Sequence, residues 1–465
     1  MPEAIHRDPY ELQAESVETP PTSFAGIYRK IGPGLILAGT VVGSGELITT
    51  TVLGAENGYS LLWLILVSCV IKIVVQNELG RYTIGTGETS LEAFNRVPGP
   101  RLGVSWVVWT WFLAQIMVMF GIGGMLGAIS EVLNTMAPGV PIKAWIWVIN
   151  VVTVALLVAG RYELVEKASI VMVAGFTVIT VISAGYLLGQ PQYFSWIQVT
   201  GGLTFQLPEG GFLTAVAVFG ITGVGASELS IYPYWCIEKG YARFTGPRPN
   251  TSGDSTDSDG AGQWQARARG WIRVMGFDVV NAMVFYTLTT VAFYLLGAGV
   301  LRGMGVMPEG SGMVDTLSNM YTETLGGWSR YVFLPGAAAV FYSTVFAGTA
   351  ARGRMMADVM ALLRAYDKKN YALRLTYTRL FVVFFLLVPT TFFLFVEEPV
   401  LMVKIAGLTE AMLLPVVAFS TVYLRYRHLP KAILPKGWIT LALWLTSVIM
   451  LVMTTFSIVQ QLGVL

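Results

Sequence analysis

Two short runs, each made of small residues and one glutamate, lie in the middle of long apolar stretches at residues 31–55 and 212–236. A carboxylate at mid-depth in a bilayer costs at least ~2.5–3.5 kcal/mol unless it has a partner, so Glu46 and Glu228 are candidates for binding a substrate or an ion. Either glutamate could instead only stabilise the first turn of the helix that follows it, with the preceding serine as N-cap. The candidate substrate-binding residues are Gly43, Ser44, Gly45, Glu46, Gly225, Ala226, Ser227 and Glu228.

Further polar residues lie within apolar stretches and are possible accessory residues of the same site: Lys72, Asp278, Asn281 and Glu410. The ammonium of Lys72 could pair with Glu46 or Glu228, reach towards the membrane surface, or form an ion pair away from the site. Asp278 and Asn281 are one turn apart, and we expect them to join helices rather than to bind substrate. Glu410 is a candidate third carboxylate.

The amino-acid composition indicates which class of protein positions these residues. The chain has 465 residues, of which 54% are hydrophobic and only 12% are charged, about half the charged share of a soluble protein. It is therefore predicted to be an all-α polytopic membrane protein. Eleven transmembrane helices are expected, at about 31–55, 59–82, 104–133, 143–160, 165–188, 212–236, 275–301, 329–350, 376–396, 399–424 and 438–461.

The lysines and arginines predict the orientation. With the N-terminus in the cytoplasm, most of them fall on the cytoplasmic side, and the other side holds only Lys143, Arg302, Arg330 and Lys404. The C-terminus is then outside. Residues 1–28 have no apolar core, so we expect a disordered cytoplasmic tail rather than a signal peptide. The loop from 246 to 262 has the composition of a flexible linker, and a short surface helix is expected near Val314–Leu325.

The two glutamate runs lie five predicted helices apart, in the first and the sixth. Because five is odd, the second set of helices starts from the opposite side of the membrane, as in an inverted repeat whose broken helices hold a substrate near mid-depth. The predicted units are a first five-helix repeat at 29–190, a second, inverted repeat at 205–424 with a cytoplasmic loop at 240–272, and an extra helix at 437–465.

Several motifs resemble those of the Nramp family of divalent metal transporters. They are Gly-Pro-Gly-Leu at 32–35, Gly-Ala-Glu-Asn-Gly-Tyr-Ser-Leu-Leu-Trp at 54–63, Gln76 with Arg81, and Ser-Thr-Val-Phe-Ala-Gly-Thr at 343–349. The resemblance runs through the first ten helices. It implies the LeuT-type fold, which is two inverted five-helix repeats, here with one extra helix.

The sequence departs from the family at the metal site. The family's first-helix motif Asp-Pro-Gly-Asn is replaced at 43–46, and its sixth-helix motif Met-Pro-His is replaced at 225–227. The metal-binding Asp, Met and His that the resemblance would imply are therefore missing, and the smaller residues would widen the cavity. The third-helix acids that the family uses for proton movement are also missing, because residues 120–124 read Phe-Gly-Ile-Gly-Gly.

These observations leave three functions open. Carboxylates and carbonyls suit a hard divalent cation such as Mg²⁺ or Mn²⁺, with or without part of its hydration shell, with Glu46 and Glu228 as its ligands and little proton coupling. Free amides at the half-helix starts, together with a glutamate, could instead hold a small organic solute such as an amino acid or amine. The chain could also be a sensor that does not transport.

Other classes of function are not supported by the residues. His6 and His428 both lie outside the predicted helices, and no nucleophile with a matching base is visible. We therefore expect no enzymatic activity and no cofactor. The expected partners are the transported cation or solute and the lipid bilayer, without nucleic acid. The expected location is the plasma membrane, which is the inner membrane in bacteria.

Overall fold

The structure is a computed structural model that describes residues 8–159, 162–206, 212–249 and 258–461. Helices account for nearly all of its regular structure, and the strands in these ranges are β1 (Arg101–Leu102) and β2 (Val104–Ser105), which form one antiparallel hairpin. The helix-rich prediction is thereby confirmed.

The helices of the N-terminal half are α1 (Phe24–Lys30), α2 (Pro33–Val41), α3 (Thr51–Asn57), α4 (Leu62–Thr86), α5 (Ser90–Asn95), α6 (Trp106–Met136), α7 (Ile142–Val158), α8 (Tyr162–Leu187) and α9 (Trp196–Gly201). Those of the C-terminal half are α10 (Phe212–Ile221), α11 (Ala226–Lys239), α12 (Tyr241–Thr245), α13 (Ser258–Leu296), α14 (Arg302–Met304), α15 (Met313–Leu325), α16 (Arg330–Leu362), α17 (Tyr371–Val396), α18 (Pro399–Arg427) and α19 (Gly437–Gln461).

Within the described ranges, eight helices are long and apolar enough to cross a membrane. A ninth candidate is a broken helix, in which Pro33–Val41 and Gly45–Asn57 meet at 43°. Two shorter apolar helices, Ile142–Val158 and Val171–Leu187, fall below that length. The structure therefore confirms a polytopic helical architecture, while eleven full spans remain a prediction.

Helices break at both glutamate runs, as the sequence predicted. Between α2 and α3 the chain forms a wide π-helical segment, Val42–Thr50. Gly45 has φ +106°, a conformation that disfavours any side chain, and a Cβ there would lie 2.4 Å from Val403. Between α10 and α11 the helix is interrupted after Ile221, and Gly223 has φ +73°. The second break lies in a stretch buried on all sides.

The N-terminal segment is packed against the bundle from Asp8 onward, which corrects the expectation of a disordered tail for residues 8–28; residues 1–7 lie outside the described residues. The amide of Glu18 donates to the carbonyl of Phe244, and the indole of Trp271 donates to the carbonyl of Glu18. The phenol of Tyr10 donates to Glu238 at 3.1 Å. We call this end of the bundle the N-terminal face and the other end the opposite face.

The loop expected at 246–262 is shorter than predicted. Residues 250–257 lie outside the described residues, and α13 already begins at Ser258, well before the predicted start at 275. The predicted cytoplasmic loop at 240–272 thus includes α12 and the first turns of α13, whose Trp264 and Trp271 are buried. These aromatic side chains gain apolar contacts that a solvated linker would not offer.

The surface helix that the sequence predicts near Val314–Leu325 is present as α15.

Candidate functional site

Two carboxylates meet at a small cavity beside the break of the sixth helix. Glu228 lies in the first turn of α11, and Glu410 lies on α18; both are at least nine-tenths buried. The amide of Ser227 donates to Glu410 Oε2 at 2.8 Å. A Cβ on Gly225 would lie 2.5 Å from an oxygen of Glu228 and 3.3 Å from one of Glu410, so the glycine leaves room for both.

The cavity between these carboxylates has a volume of about 30 Å³, room for one or two water molecules. Its remaining walls are mostly apolar, and they include the thioether of Met125 and the hydroxyl-bearing Thr344. A methionine therefore borders the cavity, although the family's sixth-helix methionine position holds Gly225. Ile221, Val118 and Ala406 line the cavity beside the carboxylates. A cavity widened by the smaller residues of the broken helices stays a prediction.

Arg352 supplies a cation to the same cavity. It is 4% exposed on α16, and its Nε donates to Gln115 Oε1 at 3.0 Å. Gln115 in turn donates to Ser227 Oγ at 2.9 Å. This chain of hydrogen bonds connects α16 and α6 to the start of α11 and orients the half-helix that carries Glu228. Gly348 makes space for the guanidinium, because a Cβ there would lie 2.6 Å from it.

Glu46 occupies a different place from the one predicted. It is fully buried, and it accepts hydrogen bonds from the amide of Gly223 at 2.9 Å and from the hydroxyl of Thr290 at 2.5 Å. It does not line the cavity, although it interacts electrostatically with Glu228. In the structure Glu46 thus joins the break of the first helix to the break of the sixth, and Glu410 rather than Glu46 lies beside Glu228.

Lys72 pairs directly with none of these carboxylates. Its ammonium is fully buried and donates to backbone carbonyls of the sixth helix, those of Phe219 and Gly220 and that of Thr222 at 2.8 Å. The three alternatives raised by the sequence all assumed a carboxylate or the membrane surface as its partner. The break in the sixth helix provides a third kind of partner, because it frees carbonyls from their helical hydrogen bonds.

Asp278 links three helices, as the sequence predicted for it. Its carboxylate accepts the amides of Gly32 at 2.9 Å and Gly34 at 2.6 Å, at the start of α2, and the phenol of Tyr232 at 3.1 Å. Asn281 is half-buried and is not among the cavity residues. Both lie away from the carboxylate pair.

The glycines of the first break serve close packing. A Cβ on Gly43 would lie 2.1 Å from the carbonyl oxygen of Val340, so α16 approaches the backbone there. The hydroxyl of Thr344 donates to the carbonyl of Thr40 at 2.8 Å across the same contact. Ala226 and Ser227 are buried at the start of α11. The side chain of Ser44 lies outside the described part of the chain.

The sequence interpretation missed Arg352, which lines the cavity, and Gln115, which accepts a hydrogen bond from it. Arg352 was assigned to the membrane surface because the eighth helix was predicted to end at 350, whereas α16 continues to Leu362. Had the eighth helix been predicted to extend to 362, Arg352 would have been placed inside the bundle. Gln115 is uncharged and carries no comparable signal.

The arrangement suits binding of a cation rather than covalent chemistry. Within the described ranges no group of three or more His, Cys, Asp or Glu side chains is gathered closely enough to enclose a metal ion. Two carboxylates can instead hold a cation that keeps part of its hydration shell, as Mg²⁺ usually does in proteins. If all five side chains are ionised, there are three negative charges, on Glu46, Glu228 and Glu410, and two positive charges, on Lys72 and Arg352. One negative charge is then in excess.

The fold is of the LeuT type, and together with the apolar helices and the family match it defines the class, an integral membrane transporter. Residues 34–460 match the family described as natural resistance-associated macrophage protein-like, and the chain belongs to this Nramp family. The resemblance noted in the sequence is thereby confirmed, and so is the expectation that the chain is not an enzyme. The family match does not favour the organic-solute alternative.

Individual relatives agree with this assignment. An uncharacterized protein of Pasteurella multocida (strain Pm70) is 23% identical over 94% of this chain and 93% of its own length. The divalent metal cation transporter MntH of Deinococcus radiodurans is 25% identical over 71% of this chain and 69% of its own. A crystal structure of a mutant manganese transporter of Eremococcus coleocola superposes with a TM-score of 0.68 at 16% identity, covering 97% of this chain and 91% of that one.

Proposed function

We propose that this chain carries a divalent cation across a membrane by alternating access, and that Glu228 and Glu410 bind it. The observation that carries the proposal is the meeting of these two buried carboxylates at one cavity beside the broken sixth helix. Membership of the Nramp family supports the choice of substrate, as does the relative described as a divalent metal cation transporter. Glu46 is proposed to act on the ion through its charge and through the helix break that it holds.

The proposed ion is hard, such as Mg²⁺ or Mn²⁺. Carboxylate oxygens are the ligands that these ions prefer, whereas a histidine, which would suit softer metals, is not among the cavity residues. The thioether of Met125 faces the same cavity and is more compatible with Mn²⁺ than with Mg²⁺. The cavity must enlarge before a partly hydrated ion can enter, since about 30 Å³ holds no more than one or two waters.

We propose that proton coupling is weak. Residues 120–124 of α6 contain no acid. Glu131, on the same helix, lies near the opposite face and accepts the amide of Val314 at 3.1 Å, so it is engaged away from the cavity. A pH dye inside liposomes measures this directly: cation uptake without matching acidification is expected, and acidification proportional to uptake would contradict the proposal.

The proposed architecture has eleven spans. The eight long helices, the broken first helix, and the two shorter apolar helices together give that number. Residues 29–190 and 205–424 are the proposed inverted repeats, followed by an extra helix at 437–465. The N-terminus is proposed to be cytoplasmic and the C-terminus outside, in the plasma membrane.

Binding to the purified protein tests the site. Calorimetric titration with Mn²⁺ and Mg²⁺ is expected to show binding to the wild type, and Glu228→Gln and Glu410→Gln should each weaken it at least about tenfold, which corresponds to ~1.4 kcal/mol. Glu309→Gln, an exposed carboxylate outside the spans, is the matched control and should bind like the wild type. Binding of an amino acid or amine in place of a divalent cation would contradict the proposal.

A further inference from the structure

A lysine ammonium fills the carbonyl end of the first half of the broken sixth helix. Lys72 on α4 is fully buried, and its Nζ donates to the carbonyl oxygens of Phe219, of Gly220 at 3.4 Å and of Thr222 at 2.8 Å. The hydroxyl of Ser68, one turn earlier, lies 3.2 Å from the oxygen of Phe219 and 3.1 Å from that of Thr222. We call these three carbonyls with Lys72 and Ser68 the carbonyl site.

The carbonyl site exists because the helix stops there. The last helical hydrogen bond runs from the amide of Thr222 to the carbonyl of Val218 at 2.7 Å. The carbonyls that follow have no amide above them, and the end of a helix carries roughly half a negative charge. In an apolar interior such oxygens need donors or a cation, because a buried polar group without a partner loses its hydration and gains nothing in return.

The geometry favours a cation over a neutral amine. An ammonium has three donors and no acceptor, and here it faces three carbonyl oxygens. Its other neighbour is the ring of Phe219, whose centroid lies 4.9 Å from Nζ and which also favours a positive charge. Glu46, Glu228 and Glu410 act on the same ammonium electrostatically without contacting it.

We propose that the carbonyl site is a binding site for a monovalent cation that Lys72 occupies permanently as a tethered ligand. The chain then needs no inorganic co-ion to stabilise the broken sixth helix, and removal of the lysine side chain opens the site to Na⁺ or K⁺. The inference depends on the helix break and not on which substrate is transported. Its test therefore measures cation binding and stability instead of transport. The inference can fail while the proposed function stands.

The experiment compares Lys72→Ala with the wild type in sodium, potassium, methylammonium and choline chlorides at constant ionic strength. The thermal midpoint of the wild type is expected to be the same in all four salts. The midpoint of Lys72→Ala should be lower in choline and should recover most of that loss in sodium, potassium or methylammonium. The matched control is Lys404→Ala, which removes another lysine within a helix, one that pairs with Glu56 at 2.9 Å; its midpoint should fall by the same amount in every salt.

Each outcome decides the proposal. A wild-type midpoint that rises specifically with Na⁺ or K⁺ would show that Lys72 does not occupy the site. An unchanged midpoint of Lys72→Ala across the four salts would show that the carbonyls do not bind a free cation. A variant that cannot be purified in choline but can be in sodium or potassium supports the proposal, and one that fails in every salt contradicts it.

Discussion

At the scale of single residues, the two predicted glutamates have different surroundings. Glu46 accepts two hydrogen bonds and joins the two helix breaks, whereas Glu228 faces the cavity with Glu410. The sequence placed both glutamates correctly at helix breaks but could not determine which carboxylate faces which, because that depends on how α2, α11 and α18 pack. Glu410 was recognised only as a third candidate, since a lone glutamate beside Gly407 gives no further signal.

The different surroundings predict different losses on substitution. Glu46→Gln keeps an oxygen for the amide of Gly223 but replaces the oxygen that accepts from Thr290 with an NH2 group, so the free energy of unfolding should fall by ~1 kcal/mol. Glu228→Gln should change stability by less than that and should mainly weaken cation binding. Thermal unfolding and calorimetry on the same samples separate the two effects. The account would be contradicted if Glu46→Gln kept its stability and lost cation binding as fully as Glu228→Gln.

At the scale of the elements, a buried ion pair connects helices at the N-terminal face. Arg374 of α17 pairs with Asp358 of α16, and both are 3% exposed. The phenol of Tyr234 on α11 also donates to Asp358, at 2.6 Å, and Tyr10 lies with its ring 3.5 Å from the guanidinium. The sequence predicted the helices that meet here but treated Arg374 as a surface charge and residue 10 as part of a disordered tail. Neither contact is visible in hydropathy or local spacing.

Removing one partner of the Arg374–Asp358 pair should be strongly destabilising. Arg374→Met leaves a buried carboxylate with only a phenol as its partner, and it should cost ~3–5 kcal/mol. The double variant with Asp358→Leu removes both charges and should recover a substantial part of that loss. Chemical or thermal unfolding of the wild type, both single variants and the double variant measures this. A double variant as unstable as the sum of the single variants would contradict a direct coupling.

A carboxylate just beyond α4 should make stability depend on pH. Burial alone would raise the pKa of Glu88, but hydrogen bonds from Arg96 and Tyr82 outweigh it and hold the pKa below its usual range. A lowered pKa contributes stability above the unfolded-state pKa of ~4.3, and this contribution disappears as the pH falls through the lower folded-state value. The thermal midpoint of Glu88→Gln should therefore fall less steeply than that of the wild type on acidification below about pH 5. Equal slopes would contradict the assignment.

At the scale of the whole molecule, an ion pair joins helices at each end of the bundle. At the N-terminal face Glu238 pairs with Arg354 at 2.6 Å. At the opposite face Lys404 of α18 pairs with Glu56 of α3 at 2.9 Å. The proposed alternating access requires these contacts to open in turn, and each pair includes one residue of a broken helix, Glu238 or Glu56. The sequence predicted the two helix breaks, while these ion pairs follow only from packing.

Loss of the Lys404–Glu56 ion pair should favour opening of the cavity towards the opposite face. In Met125→Cys, a thiol lies in the cavity, and the native Cys69 and Cys236 are buried. Adding Lys404→Met should increase the labelling rate of this thiol by a membrane-impermeant maleimide applied from the opposite face. Lys143→Met is the matched control, because its pair with Glu397 lies at the surface with side chains 66% and 54% exposed. Equal labelling rates in the two backgrounds would contradict a role for the Lys404 pair.

Glu228 and Glu410 are proposed to bind, together, the divalent cation that is transported. The most direct measurement is Mn²⁺ and Mg²⁺ influx into proteoliposomes that contain a cation-sensitive dye, with wild type, Glu228→Gln, Glu410→Gln and Glu309→Gln reconstituted in equal amounts. We expect saturable influx for the wild type and for Glu309→Gln, and influx at least about tenfold slower for the other two variants, equivalent to ~1.4 kcal/mol. Wild-type influx no faster than that of empty liposomes, or full influx in Glu228→Gln, would contradict the proposal.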